Sequence, residues 1–136
     1  MARVYVDTSA LYSILVRNDQ DHSAAISTLK LLRTEDAELL TSNYVMHETM
    51  ALLQRRWGIE AVRDWERNVE SGIQIVWIDA GIHAQAMSAL LAAASRPISL
   101  TDWVSFEVIR RERIDRAFTF DRDFGNRGFE VIPATV

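Results

Sequence analysis

Four acidic residues, far apart in the chain, stand where carboxylates could do chemistry: Asp7, Glu48, Asp102 and Asp121. Asp7 closes the short β-branched and aromatic run from Arg3 to Val6, and Asp121 closes a second such run, Arg116 to Phe120. Each also has a plain structural explanation. Asp7 can cap the helix that follows it, and Asp121 can hold an Asx turn in Asp121-Arg122-Asp123-Phe124-Gly125. Glu48 is harder to explain that way. Its neighbours three and four residues away are Tyr44, Val45, Ala51 and Leu52, so it interrupts an apolar helical face with no cation at those positions. It must therefore meet a cation from elsewhere or reach the rim of the core. Asp102 heads a stripe continued by Phe106 and Ile109, and Ser99-Leu-Thr-Asp102 also fits a capping box.

Four carboxylates meeting without cysteine or histidine ligands would suit a hard cation, magnesium or manganese, rather than zinc or copper. One or two such ions can activate water and stabilise a leaving oxygen, and phosphodiester hydrolysis is the natural chemistry of that arrangement. Other chemistries lack their residues. His47-Glu48 begins the zinc-protease pattern, but Ala51 occupies the place of its second histidine. Ser9 stands two residues after Asp7, where phosphoenzyme phosphatases usually carry a second aspartate. There is no Gly-x-Gly-x-x-Gly or Walker loop, so no nucleotide cofactor is expected.

The elements that must position these acids alternate. Strands are expected at Arg3 to Val6, Glu38 to Thr41, Ile73 to Ile78, Arg116 to Phe120 and Phe129 to Ile132, the last two around a glycine-containing turn. Helices are expected from Ala10 to Val16, Asp21 to Arg33, Tyr44 to Trp57 with Ser42 or Asn43 as cap, Glu60 to about Val69, Ala80 to Ala94 with a stop at Arg96-Pro97, and Ser99 to Arg113. Strands separated by helices imply an α/β fold, a mostly parallel sheet covered on both faces, with ligands beyond the carboxyl ends of the strands.

The 136 residues fit one domain, 1–136, and 49% hydrophobic with 25% charged residues is ordinary for a globular protein. The absence of cysteine excludes disulfide scaffolds and thiolate metal sites and fits a cytoplasmic protein. The apolar run at the N-terminus is too short for a signal peptide, and nothing approaches a membrane span, so no membrane partner is expected. The net charge of −4 does not by itself favour nucleic acid. Positive charge is nearly all arginine, with Lys30 the only lysine; Arg55-Arg56 and Arg110, Arg111, Arg113, Arg116, Arg122 and Arg127 offer either phosphate contacts or an ion-paired surface.

Val-Asp7-Thr8-Ser9-Ala-Leu, Glu48 on its helix, Ser-Leu-Thr101-Asp102 and Phe-Thr119-Phe-Asp121-Arg-Asp-Phe occur in the order and α/β setting of the PIN-domain ribonucleases. The chain resembles that family over essentially its whole length, and most closely the toxin members of bacterial toxin–antitoxin pairs. The resemblance implies a three-layer α/β/α domain and a Mg2+- or Mn2+-dependent endoribonuclease. It makes Asp7, Glu48, Asp102 and Asp121 the metal-binding acids, Ser9 and Thr119 supporting hydroxyls, and Asp123 an alternate or additional acid. It also implies an RNA substrate, a small antitoxin partner and a homodimer. The competing reading is a non-catalytic interaction module whose acids are relics or arginine receptors; a related DNA nuclease or phosphatase ranks behind both. Trp57, Trp65, Trp77 and Trp103 are expected in packing rather than base stacking, and Trp57 and Trp65 with Leu53 and Val62 would form one groove for a partner helix.

Overall fold

The computed structural model describes residues 2–93 and 97–134. Five strands, β1 (Arg3–Val6), β2 (Glu38–Ser42), β3 (Gln74–Val76), β4 (Arg116–Phe118) and β5 (Glu130–Ile132), form one sheet in the order β3-β2-β1-β4-β5. Every neighbouring pair is parallel. Among the described residues, seven α-helices connect them: α1 (Thr8–Leu15), α2 (His22–Thr34), α3 (Asn43–Trp57), α4 (Ile59–Asn68), α5 (Ala80–Ala92), α6 (Leu100–Arg111) and α7 (Arg122–Asn126).

The expected strand–helix alternation is present, and parallel pairing requires it, because each return to the starting edge needs a crossover. Val4, Tyr5 and Val6 on β1 are all buried, as a strand covered on both faces must be. Val6 and Phe118 face a cavity of about 320 Å3 bounded by α1, α2 and α4, whereas Tyr5 reaches α6.

Several bounds differ from expectation, among them the last two strands, which shorten to Arg116–Phe118 and Glu130–Ile132. The run Ile73 to Ile78 shortens to Gln74–Val76, because Ile73 ends a 3-10 turn and the Ile78 N–H donates to the Asn43 side chain at 2.8 Å instead of to a strand. The last two strands are not joined by a simple turn: α7 lies between them, and its crossover lets β5 pair parallel to β4. The stop expected at Arg96-Pro97 falls partly outside the described residues, as does the end of the Ala80 to Ala94 helix.

The sheet order places the ends of β1 and β4 at the point where strand order reverses on either side of β1, where open parallel sheets form a crevice. An aromatic cluster fixes what surrounds it. Phe106 of α6 meets Phe124 of α7 edge-on with ring centroids 4.9 Å apart, and Trp103 meets Phe106 edge-on at 5.5 Å. Burying two phenylalanines there contributes about 1.5–3 kcal/mol each. It also locks the helix that starts near Asp102 against the helix that starts at Asp121. Among the described residues, no helix is long and apolar enough to cross a membrane.

Candidate active site

Asp7 directly follows β1, at the N-cap position of α1, yet its side chain makes no capping bond. Its Oδ2 instead accepts from Ser9 Oγ at 3.0 Å and from Thr119 Oγ1 at 2.9 Å. The same two hydroxyls organise the end of β4. Ser9 Oγ accepts from the Phe120 N–H and Thr119 Oγ1 from the Asp121 N–H, both at 2.9 Å. Asp7 is only 3% exposed, and burial raises its pKa to about 6. The hydrogen bonds from Thr119, Ser9 and the Thr8 backbone oppose that rise, and the charge of Asp121 adds to it.

Asp121 caps α7, accepting the Asp123 N–H at 2.9 Å, so the expected Asx turn is present. This turn does not remove Asp121 from the site. Carboxylate oxygens of Asp102, Asp121 and Asp123 all lie within 4.8 Å of one another. Asp123, expected from the resemblance as an alternate or additional acid, is buried and stands inside this cluster beside Asp121. It lies in the first turn of α7, a short helix where the sequence predicts only a turn.

Asp102 sits in the first turn of α6, where Ser99 accepts its N–H at 3.1 Å. Among the described residues, its carboxylate returns no bond to Ser99, so the capping box forms on one side only. Burial is the main reason its pKa rises to about 8, followed by the negative charges of Asp7, Asp121, Glu48 and Asp123. The charges of Asp7 and Glu48 thus reach Asp102, but among the described residues only Asp102, Asp121 and Asp123 bring carboxylate oxygens within 4.8 Å of one another; Asp7 and Glu48 stand outside that group. Glu48 resolves its burial problem by reaching the rim: it is half-buried on α3, and its charge is felt at Asp102.

The arrangement is a crowded set of oxygen donors at the carboxyl edge of a parallel sheet. Like charges this close oppose full ionisation unless a cation or protons compensate. The donor chemistry, all carboxylate oxygen within ligand-sharing distance, fits a hard divalent ion such as Mg2+ or Mn2+.

A sequence profile of the PIN domain matches residues 4–130. The chain belongs to the PIN domain family. Among curated proteins it is similar to the 23S rRNA-specific endonuclease VapC20 of Mycobacterium tuberculosis, 33% identical over 132 residues, which span 96% of this chain and 98% of that protein. The crystal structure of M. tuberculosis VapC20, described as a Sarcin-Ricin loop cleaving toxin, superposes with a TM-score of 0.80 at 31% identity, covering 93% of this chain and 95% of that one. VapBC2 from Rickettsia felis, bound to a DNA fragment from its promoter, matches with a TM-score of 0.71 at 11% identity, over 95% and 96% of the two chains, and so shares the fold. The three-layer α/β/α PIN architecture read from the sequence is thus present.

Of the two readings open for the arginines, the ion-paired surface holds for part of the set. Several arginines are committed to protein partners: Arg116 to Glu35 at 2.8 Å, Arg111 to Glu107 at 2.8 Å, and Arg127 to the Trp103 ring at 4.2 Å. The single groove expected from Trp57, Trp65, Leu53 and Val62 does not form, because Leu53 is fully buried. Trp65 and Val62 open on a groove with Met46, Met50 and Trp77, and Trp57 on another with Leu15 and Val16. The sequence reading also passed over a buried hydroxyl layer, Tyr5, Thr41, Ser42 and Ser105. Its signal was polar residues at positions where the strand and helix patterns call for apolar ones.

Proposed function

We propose that this PIN-domain chain is a divalent-cation-dependent endoribonuclease, the toxin of a toxin–antitoxin pair, and that its substrate is ribosomal RNA. The observation that carries the reading is the convergence of Asp7, Asp102, Asp121 and Asp123, with Glu48 at the rim, beside the strand-order reversal. The substrate class follows the VapC20 relative at 33% identity over nearly the full length.

In this reading Asp102, Asp121 and Asp123 hold the ion, with Asp7 and Glu48 completing the acidic pocket. A Mg2+ or Mn2+ ion bound there would supply the charge that acidifies an attacking water and neutralises the leaving oxygen. The chain's own residues prepare the pocket. Ser9 and Thr119 orient Asp7 through paired hydrogen bonds and hold its carboxylate in one rotamer. Thr119 also fixes the backbone at Asp121, so the same hydroxyl sets two acids. Asp102 keeps its proton at neutral pH in the cation-free protein and must release it before both of its oxygens can serve as ligands.

The partners belong to the same reading: a small antitoxin that blocks the site, and a homodimer. Structural relatives include a toxin–antitoxin complex from Klebsiella pneumoniae, with a TM-score of 0.65 at 16% identity. A purely binding role would retain the electrostatic cost of the clustered acids with no ligand to offset it. The test is purified 23S rRNA incubated with the chain, with Mn2+ or Mg2+ and with chelator. Discrete cuts that need the ion and vanish in Asp7→Asn are expected; uncut RNA under every ion condition overturns the reading.

A further inference from the structure

Beneath the carboxylates lies a buried hydroxyl that the chemistry above does not use. Tyr5, two residues before Asp7 on β1, has no exposed surface. Residues two apart in extended chain share a side, and the charge of Asp7 is felt at the Tyr5 phenol. The hydroxyl donates to Ser42 Oγ at 3.1 Å and shares a 2.8 Å bond with Ser105 Oγ. Ser42 is the cap of α3, the helix that carries Glu48, and accepts the Val45 N–H at 3.2 Å. Ser105 lies one turn after Asp102 on α6, and its one proton goes either to the phenol oxygen or to the Thr101 carbonyl, 3.0 Å away. One phenol oxygen therefore joins the strand leading to Asp7 with the cap of the helix bearing Glu48 and the second turn of the helix bearing Asp102.

Phenylalanine would fill the same space without the cost of burying a hydroxyl. Neither helix end needs the phenol, since Ser42 keeps its bond from Val45 and Ser105 its bond to Thr101 without it. What the hydroxyl adds is a fixed distance between three elements. Buried polar networks of this kind specify geometry more than they add stability.

We propose that Tyr5 is a positioning residue whose hydroxyl sets the spacing of Asp7, Glu48 and Asp102, and so the affinity of the acidic pocket for its divalent ion. The inference rests on the metal-dependent reading above. It is tested by Mn2+ titration calorimetry, steady-state cleavage of a 23S rRNA fragment and thermal unfolding, on wild type, Tyr5→Phe, Ser105→Ala and the double variant. Tyr5→Phe is expected to raise the Mn2+ Kd about tenfold, the lower end of what losing a bond to a ligand itself costs, since the hydroxyl acts one bond further away. At limiting Mn2+, kcat falls while KM for RNA stays, and excess Mn2+ restores the rate. Ser105→Ala weakens Mn2+ binding in the same direction, and adding it to Tyr5→Phe changes little, because the Tyr5–Ser105 bond is already lost there. A Tyr5→Phe protein with a lower Tm but a Mn2+ Kd within twofold of wild type overturns the inference alone. If Tyr5→Phe does not fold, the Ser105→Ala titration decides by the same criterion. Wild type that binds no Mn2+ overturns both this inference and the nuclease reading.

Discussion

Replacing Asp7 by Asn is expected to stabilise the cation-free protein above pH 6 and to leave it unchanged near pH 4. Burial raises the Asp7 pKa from 3.8 to about 6. Below pH 4 the folded and unfolded chains both carry the proton. Between pH 4 and 6 the folded chain keeps a proton that the unfolded chain has lost, so stability falls as pH rises. Above pH 6 both are ionised and the penalty is complete. At about 1.4 kcal/mol per pH unit, the gap amounts to about 3 kcal/mol. Asn keeps an acceptor for Ser9 and Thr119, and what those bonds give the charged form is already contained in the value of about 6. The gain is about 3 kcal/mol at pH 8, or roughly 9–15 °C in Tm for a chain of this size. Removing the Asp7 charge also relieves Asp102, which acts in the same direction. Thermal unfolding of both proteins in chelator from pH 4 to 8.5 gives the curve. A Tm difference that does not change with pH, or that favours wild type at pH 8, refutes the argument that a desolvated carboxylate sits at this position. Adding Mn2+ is expected to reverse the order, since only wild type retains the full ligand set.

Mn2+ affinity is expected to rise with pH up to about 8, by about tenfold per unit, because Asp102 must lose its proton to bind; calorimetric Kd values that stay flat between pH 6 and 8 contradict this. Thr119→Val removes a donor to Asp7 and the acceptor of the Asp121 N–H while keeping the side-chain volume, so cleavage is expected to drop about 10–100-fold with a native circular dichroism spectrum. Ser99→Ala takes away the side-chain cap of α6, and denaturant melts are expected to show a loss of about 1 kcal/mol.

The sequence by itself determined the alternation of strands and helices, the positions of the acids along the chain and their oxygen-only chemistry. These are local properties: apolar periodicity marks the elements, and residue type fixes ligand hardness. Ser42 as the cap of α3 and the Asx turn at Asp121 were legible for the same reason. Tertiary structure decided the rest. Asp7 looked like a helix cap, but the hydroxyl it accepts from Thr119 arrives from 112 residues away. Asp123 joined the cluster because Phe124 packs on Phe106 and turns α7 toward Asp102. That crowding would raise at least one carboxylate pKa follows from the acids themselves, but which ones rise, Asp7 and Asp102, and the main cause, water excluded by packing, come from the tertiary structure. Strand order belongs to the same class: local propensity tells each segment to be a strand, while only burial of both faces of β1 puts it at the centre, with β2 and β4 on either side.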